Sequence, residues 1–555
     1  MNTEPLQTRC LPSLAKVFAD EPLDAPEVRA GSALANEVYS FQVAWYSDRL
    51  MKGIRVRVDS DLAPWITVRA VGLVPSELPW RDEHDADVLR TTPGLYPDPL
   101  YPIDPAEGLT AFPEQWRSLW VTVDLASVPA SPQPGVHSVR IVFESELGIE
   151  LAACEHNLEI VDETLPEQDL IHTEWFHSDC LATYYDLEVF GDEHWRRIAQ
   201  FIETAARHGV NMILTPIFTP PLDTEVGGER PTVQLVDVTK RLGPDGAVYE
   251  FGFTRLERWV ELCSAAGIEY FEFSHLFTQW GAAYCPKIVA EVNGETTRIF
   301  GWDTPATEGA YGAFLDQFLP AIVAFIRAND LVQRSYFHVS DEPRLEQLEQ
   351  YRAARELITH HLSGFPIMDA LSRYEFYEDG VVDLPIPASN HIEPFIENDV
   401  RPLWTYYCVS QKTDVSNRFF CMPSARNRVL GTQLYKFNVA GFLHWGYNFW
   451  YTQYSRRAVN PFITTDAGSA FPSGDAFLVY PGESGPISSI RLEVLREALQ
   501  DLRALRLLES RVGREQALAL LEAGLEKPIT FGEYPRSDDW VLDLRRRVNE
   551  AISEA

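Results

Sequence analysis

Phe337-His-Val-Ser-Asp-Glu-Pro343 is the stretch on which both the fold and the chemistry turn. An apolar run ends in two consecutive acids, and a proline follows in the position that opens helices, where its missing N–H is not needed. The unit is strand, turn, helix, and the chain repeats it on either side. Candidate strands are 170–176 (LIHTEWF), 211–217 (NMILTPI), 268–275 (IEYFEFSH), 335–340 (SYFHVS), 365–369 (FPIMD), 381–385 (VVDLP), 402–407 (PLWTYY) and 440–446 (AGFLHWG). Amphipathic helices lie between several of them, clearest at 193–208, 254–266, 309–329 and 345–362, the second stopped by Gly267. Eight strands alternating with helices predict a (β/α)8 TIM-like barrel over residues 166–487, with a doubly wound parallel sheet as the alternative.

Outward from this core the pattern changes twice. Residues 1–165 alternate with period 2 at 39–45 (YSFQVAW), 54–58 (IRVRV), 66–70 (ITVRA), 119–123 (LWVTV) and 138–144 (SVRIVFE), separated by turns such as PASPQPG at 129–135. That is the pattern of half-buried strands, and a β-sandwich domain is expected. Residues 488–555 read as helices that close the barrel and add a helical tail, so the chain is a multidomain α/β protein. The segment 220–250 (PLDTEVGGERPTVQLVDVTKRLGPDG) reads as a long loop insertion overhanging the barrel mouth.

Composition narrows the partners. A formal charge of −34 over 555 residues repels phosphate, which excludes nucleic acid and anionic membrane and favours a neutral substrate. No run of about 18 uninterrupted apolar residues is found, so no spanning helix is expected. The N-terminus (MNTEPLQTRCLPSL) has neither a basic nor an apolar leader region, which points to a cytoplasmic protein. Seven scattered cysteines form no C-x-x-C pair, and no ligand-spaced cluster calls for a metal or an organic cofactor. A homo-oligomer is compatible with the sequence, which does not decide it.

In a barrel, chemistry collects at the C-terminal ends of the strands. Those ends carry Trp175, His177, Asp179, His275, Asp341, Glu342, Asp369, Asn390, Tyr406, Tyr407, His444 and Trp445. Carboxylate, imidazole, phenol and indole without lysine suit sugar binding and acid catalysis. Asp341 and Glu342 before Pro343 are also how an ordinary helix starts, and only the barrel position favours chemistry. Neighbouring acids are badly placed to reach opposite faces of a sugar as acid and nucleophile. They suit a substrate-assisted reaction, in which the sugar's own 2-acetamido oxygen attacks C1. Asp341 then steadies the acetamido N–H, and Glu342, its pKa raised by the like charge beside it, protonates the leaving oxygen.

LIHTEWFHSDCLATYY at 170–185, HVSDEP at 338–343, RPLWTYYCVS at 401–410, VAGFLHWGYNFW at 439–450 and FLVYPG…GPISSIRLEVLREALQDLRAL at 477–505 together resemble glycoside hydrolase family 123, the β-N-acetylgalactosaminidases. The resemblance spans roughly residues 120–510, and its tail is more specific than the short acid pair. It implies an exo-acting, retaining β-N-acetylgalactosaminidase on a small glycan, with Asp341 orienting the acetamido nitrogen and Glu342 as general acid/base. Tyr406 is expected, from its chemistry and strand position, to hydrogen-bond the acetamido oxygen. Trp445 and Trp450 are candidates for the wall behind the sugar, although an indole in an apolar strand also serves as core. His177 and His275 are candidates for sugar hydroxyls or for structural histidines, and Asn448 for a hydroxyl or a turn cap. Trp175 and Asp369 complete the binding candidates. Two competing readings remain: Glu342 with a distant acid such as Asp369 or Asp179 on a non-acetamido sugar, and an inactive glycan-binding barrel.

Overall fold

The computed structural model describes residues 6–127, 132–244, 246–307 and 309–555; residues 1–5 of the N-terminal stretch and 129–131 of the PASPQPG turn lie outside them. The N-terminal region is two five-stranded sheets. One has the order Gln7–Pro12, Val38–Tyr46, Arg117–Asp124, Ile66–Ser76, Gly94–Pro102, and the other Ala30–Leu34, Glu150–Val161, Gly135–Glu144, Met51–Asp59, Leu109–Ala111. Alternation along the strands sends every second side chain inward. Phe41, Val43, Trp45, Leu119 and Val121 from the first sheet thus share one core with Ile141, Phe143, Leu158 and Ile160 from the second.

Eight short parallel strands follow: β1 (Ile171–Glu174), β2 (Met212–Thr215), β3 (Tyr270–Phe273), β4 (Ser335–Phe337), β5 (Met368–Leu371), β6 (Leu384–Pro387), β7 (Leu403–Tyr406) and β8 (Val439–His444). β1 pairs with β2, β2 with β3 and β3 with β4; β5 pairs with β6, β7 with β8, and β8 returns to β1. Single parallel bridges, Phe337 to Ile367 and Ala388 to Tyr406, link β4 to the start of β5 and the end of β6 to β7. The first strand therefore pairs with the last, which a doubly wound sheet does not allow.

Helices cover the outside. In Asp192–Arg207 the stripe Trp195, Ile198, Phe201, Ile202 and Ala205 is buried, the spacing of a one-faced amphipathic helix. Those after β5 and β6 shrink to Glu375–Glu378 and Glu393–Glu397. Gly309–Ala328 is long and apolar enough to cross a membrane, contrary to the expectation from uninterrupted apolar runs. Its Tyr311, Phe314, Leu315, Phe318, Leu319, Ile322 and Ile326 are instead buried in the core. Ile490–Val512 packs on Ser424–Lys436 at Gly431, where a Cβ would lie 1.9 Å from the Ala498 carbonyl oxygen, so only glycine allows this approach.

Two expectations fail here. The segment 220–250 is not simply a loop: Asp237–Gly243 and Gly246–Gly252 form a hairpin that joins Ile288–Val292 and Glu295–Phe300 in a four-stranded sheet. Tyr249 and Phe251 of that hairpin pack on Phe314 of helix Gly309–Ala328, so it is fastened to that helix. Pro343 does not open the next helix either. A 3-10 turn at Leu345–Gln347 precedes helix Leu348–Thr359, so the acid pair is not a helix start.

Buried polar contacts tie the N-terminal sheets to the rest. Asp98 accepts from Arg491 (2.9 Å) and from the Tyr480 hydroxyl (2.6 Å). Lys16 donates to the carbonyls of Phe420 (2.9 Å) and Met422 (2.7 Å), and burial pushes its ammonium down to about 8. Glu37 and Asp501 are bridged by Arg545 at 2.6 and 3.0 Å.

Candidate active site

The strand C-termini open into a cavity of about 220 Å³. Trp175 after β1, Trp445 after β8 and Leu443 make its apolar wall, and Asp341, Glu342 and Tyr406 stand at its polar side. Neighbouring residues in an extended strand point to opposite faces. The backbone at Glu342 departs from that rule, with φ +43°, a left-handed conformation that costs a non-glycine residue about 1–3 kcal/mol. The turn brings both acids to one cavity. It is held from both sides, since the Glu342 N–H donates to the Ala370 carbonyl (3.1 Å) and the Asp341 carbonyl accepts from the Trp280 N–H (2.8 Å).

The two carboxyls are unlike. Tyr406 donates its hydroxyl to Glu342 Oε1 at 2.5 Å. Burial, then the charges of Glu342 and Asp369, push Asp341 well above the usual carboxylate range.

Beneath the acids lies a buried network. His338 joins Glu272 (2.8 Å) and Asp369 (3.0 Å), and Asp369 also accepts from the Tyr351 hydroxyl and from the N–H groups of Val339 and Ser340 (3.3 Å each). Burial opposes charge on His338, but these two carboxylates win and raise it to about 10, so it is an imidazolium. Glu272 accepts in turn from Trp175 Nε1 (2.5 Å) and Thr173 (2.7 Å), which fixes the indole at the cavity wall. His275 stacks on His338 at 4.1 Å with planes 18° apart, and burial drives its pKa far down. His275, His338 and Asp369 are close enough to suggest a metal site. Imidazole lone pairs lie in the ring plane, however, so near-parallel rings aim past each other, and both His338 nitrogens are already committed.

Of the residues expected at the site, Asp341, Glu342, Trp175, Tyr406 and Trp445 line the cavity. The rest do not. Asp369 is fully buried and supports the loop that carries the acids. The Asn448 side chain clamps the His177 backbone, with His177 N–H to Asn448 Oδ1 at 2.8 Å and Asn448 Nδ2 to His177 O at 3.1 Å. His177 also receives Arg230 (3.1 Å), itself locked on Asp179 at 2.8 Å, and burial drives the imidazole down to about 3. Trp450 is core, its N–H on the Val479 carbonyl (3.3 Å) and its ring against Tyr184 and Phe201. His275 stacks on His338 and meets Trp175 edge-to-face, and neither of its ring nitrogens has a hydrogen-bond partner among the described residues.

Loops supply what strand-end reading misses. Asp223, eight residues past β2, lines the cavity, as do Gln279 and Trp280 beyond β3 and Gln453, Tyr454 and Phe471 beyond β8. Asp223 accepts from the Tyr454 N–H (3.1 Å), and burial raises its carboxyl to about 6. Trp280 meets Tyr454 edge-to-face at 5.8 Å, closing the rim. Positive φ at Asp223, Trp280 and Tyr454 (38°, 59° and 61°) shows that the rim is built from tight turns. No periodicity announces such residues in a sequence.

The chain matches the family model "Glycoside hydrolase 123, catalytic domain" over residues 175–508. Among solved structures, a family 123 glycoside hydrolase from Clostridium perfringens, described for glycolipid glycan hydrolysis, superposes with a TM-score of 0.74 at 16% identity. That match covers 99% of this chain and 98% of the other. The endo-beta-1,4-mannanase from Thermotoga petrophila aligns at 11% identity and a TM-score of 0.33 over 61% of this chain and 77% of its own. No curated protein matches.

Proposed function

Because the chain belongs to glycoside hydrolase family 123, we propose that it is an exo-acting β-N-acetylgalactosaminidase that retains configuration through substrate-assisted catalysis. The observation that carries this reading is the adjacent pair Asp341 and Glu342 in one cavity, with the Tyr406 hydroxyl on Glu342. We include in the proposal the division into a β-sandwich (1–165), a (β/α)8 barrel (166–487) and closing helices (488–555). The circular order of strand pairing and the core shared by the two N-terminal sheets support it.

The pair begins with its proton on Asp341. An acetamido N–H entering beside Asp341 donates to that carboxyl and favours its charged form, so the proton passes to Glu342. Neutral Glu342 holds Tyr406 less tightly, and the phenol turns to donate to the acetamido oxygen. That oxygen attacks C1, the bond to the leaving oxygen breaks, and Glu342 gives its proton to the departing alcohol. Asp341 balances the positive charge on the amide nitrogen of the cyclic intermediate. Glu342, now a base, takes a proton from water as it opens the ring from the face the alcohol left.

One other carboxyl faces this cavity, Asp223. It is the sole basis for a second reading, an acid–nucleophile pair on a sugar lacking the acetamido group. Asp179 and Asp369, the partners expected for such a pair, are both buried and bonded elsewhere. Nitrophenyl glycosides separate the readings. Release from the β-N-acetylgalactosaminide with none from the β-galactoside is expected, and equal or better release from the galactoside would remove substrate assistance.

A further inference from the structure

Glu342 and Tyr406 line a second cavity, of about 410 Å³, which shares no other residue with the first. It occupies the β4–β7 sector of the strand ends, walled by Arg344 just past the acid pair, Arg373 past β5, and Asn390 and His391 past β6. A general acid stands between the sugar it releases and the group that leaves. The second cavity has Glu342 and its phenol partner in its wall, on the side of the acid away from the first cavity.

Its charge is unusual for this molecule. The chain holds 47 Lys and Arg against 81 Asp and Glu, so cations are scarce and find carboxylates readily. Nearby Arg355 is paired with Asp383, and Arg352 with Glu349 and Asp379. Arg344 and Arg373 pair with no carboxylate among the described residues, although Glu346 shares their wall. A surface this acidic repels anions at long range, but beyond about 10 Å salt screens that field, and two free guanidiniums decide at contact.

We propose that this cavity is a leaving-group subsite for an anionic saccharide, a carboxylated or sulfated sugar joined to the terminal N-acetylhexosamine. Arg344 and Arg373 are its anion-binding residues, since a guanidinium fork meets a carboxylate or sulfate with two parallel hydrogen bonds. The proposal rests on the glycosidase reading above.

The full chain is tested on three disaccharides with a terminal β-N-acetylgalactosamine, linked to glucuronate, to sulfated galactose and to neutral galactose, with the nitrophenyl glycoside as reference. The wild type should show kcat/KM at least about tenfold higher for an acidic leaving sugar than for the neutral one. The double variant Arg344→Gln/Arg373→Gln should bring that ratio near one, and Arg344→Lys/Arg373→Lys should keep part of it. Because the ratio is taken within each variant, partial misfolding does not move it. The uronate and sulfate arms identify which anion the subsite prefers. Equal turnover of acidic and neutral sugars by the wild type, or a preference that survives both glutamines, overturns the subsite. No release from the nitrophenyl glycoside overturns the glycosidase reading and the subsite with it.

Discussion

Tyr406→Phe isolates one bond in the acid pair. The hydroxyl donates to Glu342 at 2.5 Å in a buried setting, and hydrogen bonds to charged groups contribute about 1.5–3 kcal/mol. Losing it leaves Glu342 without that partner, so kcat/KM on the nitrophenyl β-N-acetylgalactosaminide should fall. In the reading above kcat also falls, by about 10²–10³, because the phenol is a preorganised donor to the acetamido oxygen in the transition state. A kcat within about threefold of the wild type would refute the placing of the Tyr406 hydroxyl on the reacting groups.

Other positions make separate predictions. Glu342→Gln should lower turnover of natural glycans by about 10²–10⁴ and harm release of dinitrophenol much less, since that leaving group needs little protonation; rates on both substrates check it. Trp450→Ala should destabilise the fold by about 3–5 kcal/mol in denaturant unfolding, whereas Trp445→Ala, at the cavity wall, should mainly raise KM. His338 is raised to about 10 from an unfolded value near 6.5, so the stability it brings is full below pH about 6.5 and lost as pH rises toward 10. His338→Gln should thus be much less stable than the wild type at pH 6, with the gap narrowing by pH 10 in thermal unfolding.

Each of the eight parallel strands overlaps an expected apolar run, although Met368–Leu371 and Leu384–Pro387 share only two residues each with the expected 365–369 and 381–385. Four long helices were legible from their buried stripes, and Thr254–Ala266 matches the reading of 254–266 at both ends. Among the strands not named, Gly94–Pro102 holds Pro97, Pro99 and Pro102 and Ala30–Leu34 is short and mostly small residues, whereas Glu150–Val161 alternates clearly and was readable. At the site, the strand-end rule found the acids, Tyr406, Trp175 and Trp445. It also gathered His177, His275 and Asp369, because a strand end says where a residue starts and not which way its side chain turns; Asn448 and Trp450 came with the family resemblance and turn away from the cavity too. Asp369 was read as a substrate ligand or second acid, but its oxygens are used by His338, Tyr351 and two backbone N–H groups. Asp223 and Trp280 were invisible since loop conformation, set by distant contacts such as Tyr454, brings them to the cavity.

Asp341 is where the substrate-assisted account is most exposed. Positive charge develops on the acetamido nitrogen only as its oxygen attacks, so a fixed carboxylate there favours the transition state over the ground state. Asp341→Asn keeps the shape and removes the charge. It should cost about 2.7–4 kcal/mol of transition-state stabilisation, about 10²–10³ in kcat, with a much smaller change in KM. The direct measurement is inhibition by an N-acetylgalactosamine thiazoline, a stable mimic of the cyclised intermediate, against the wild type and Asp341→Asn. The account predicts tight inhibition of the wild type and weak inhibition of the variant; equal binding to both, or a variant with near wild-type turnover, would contradict it.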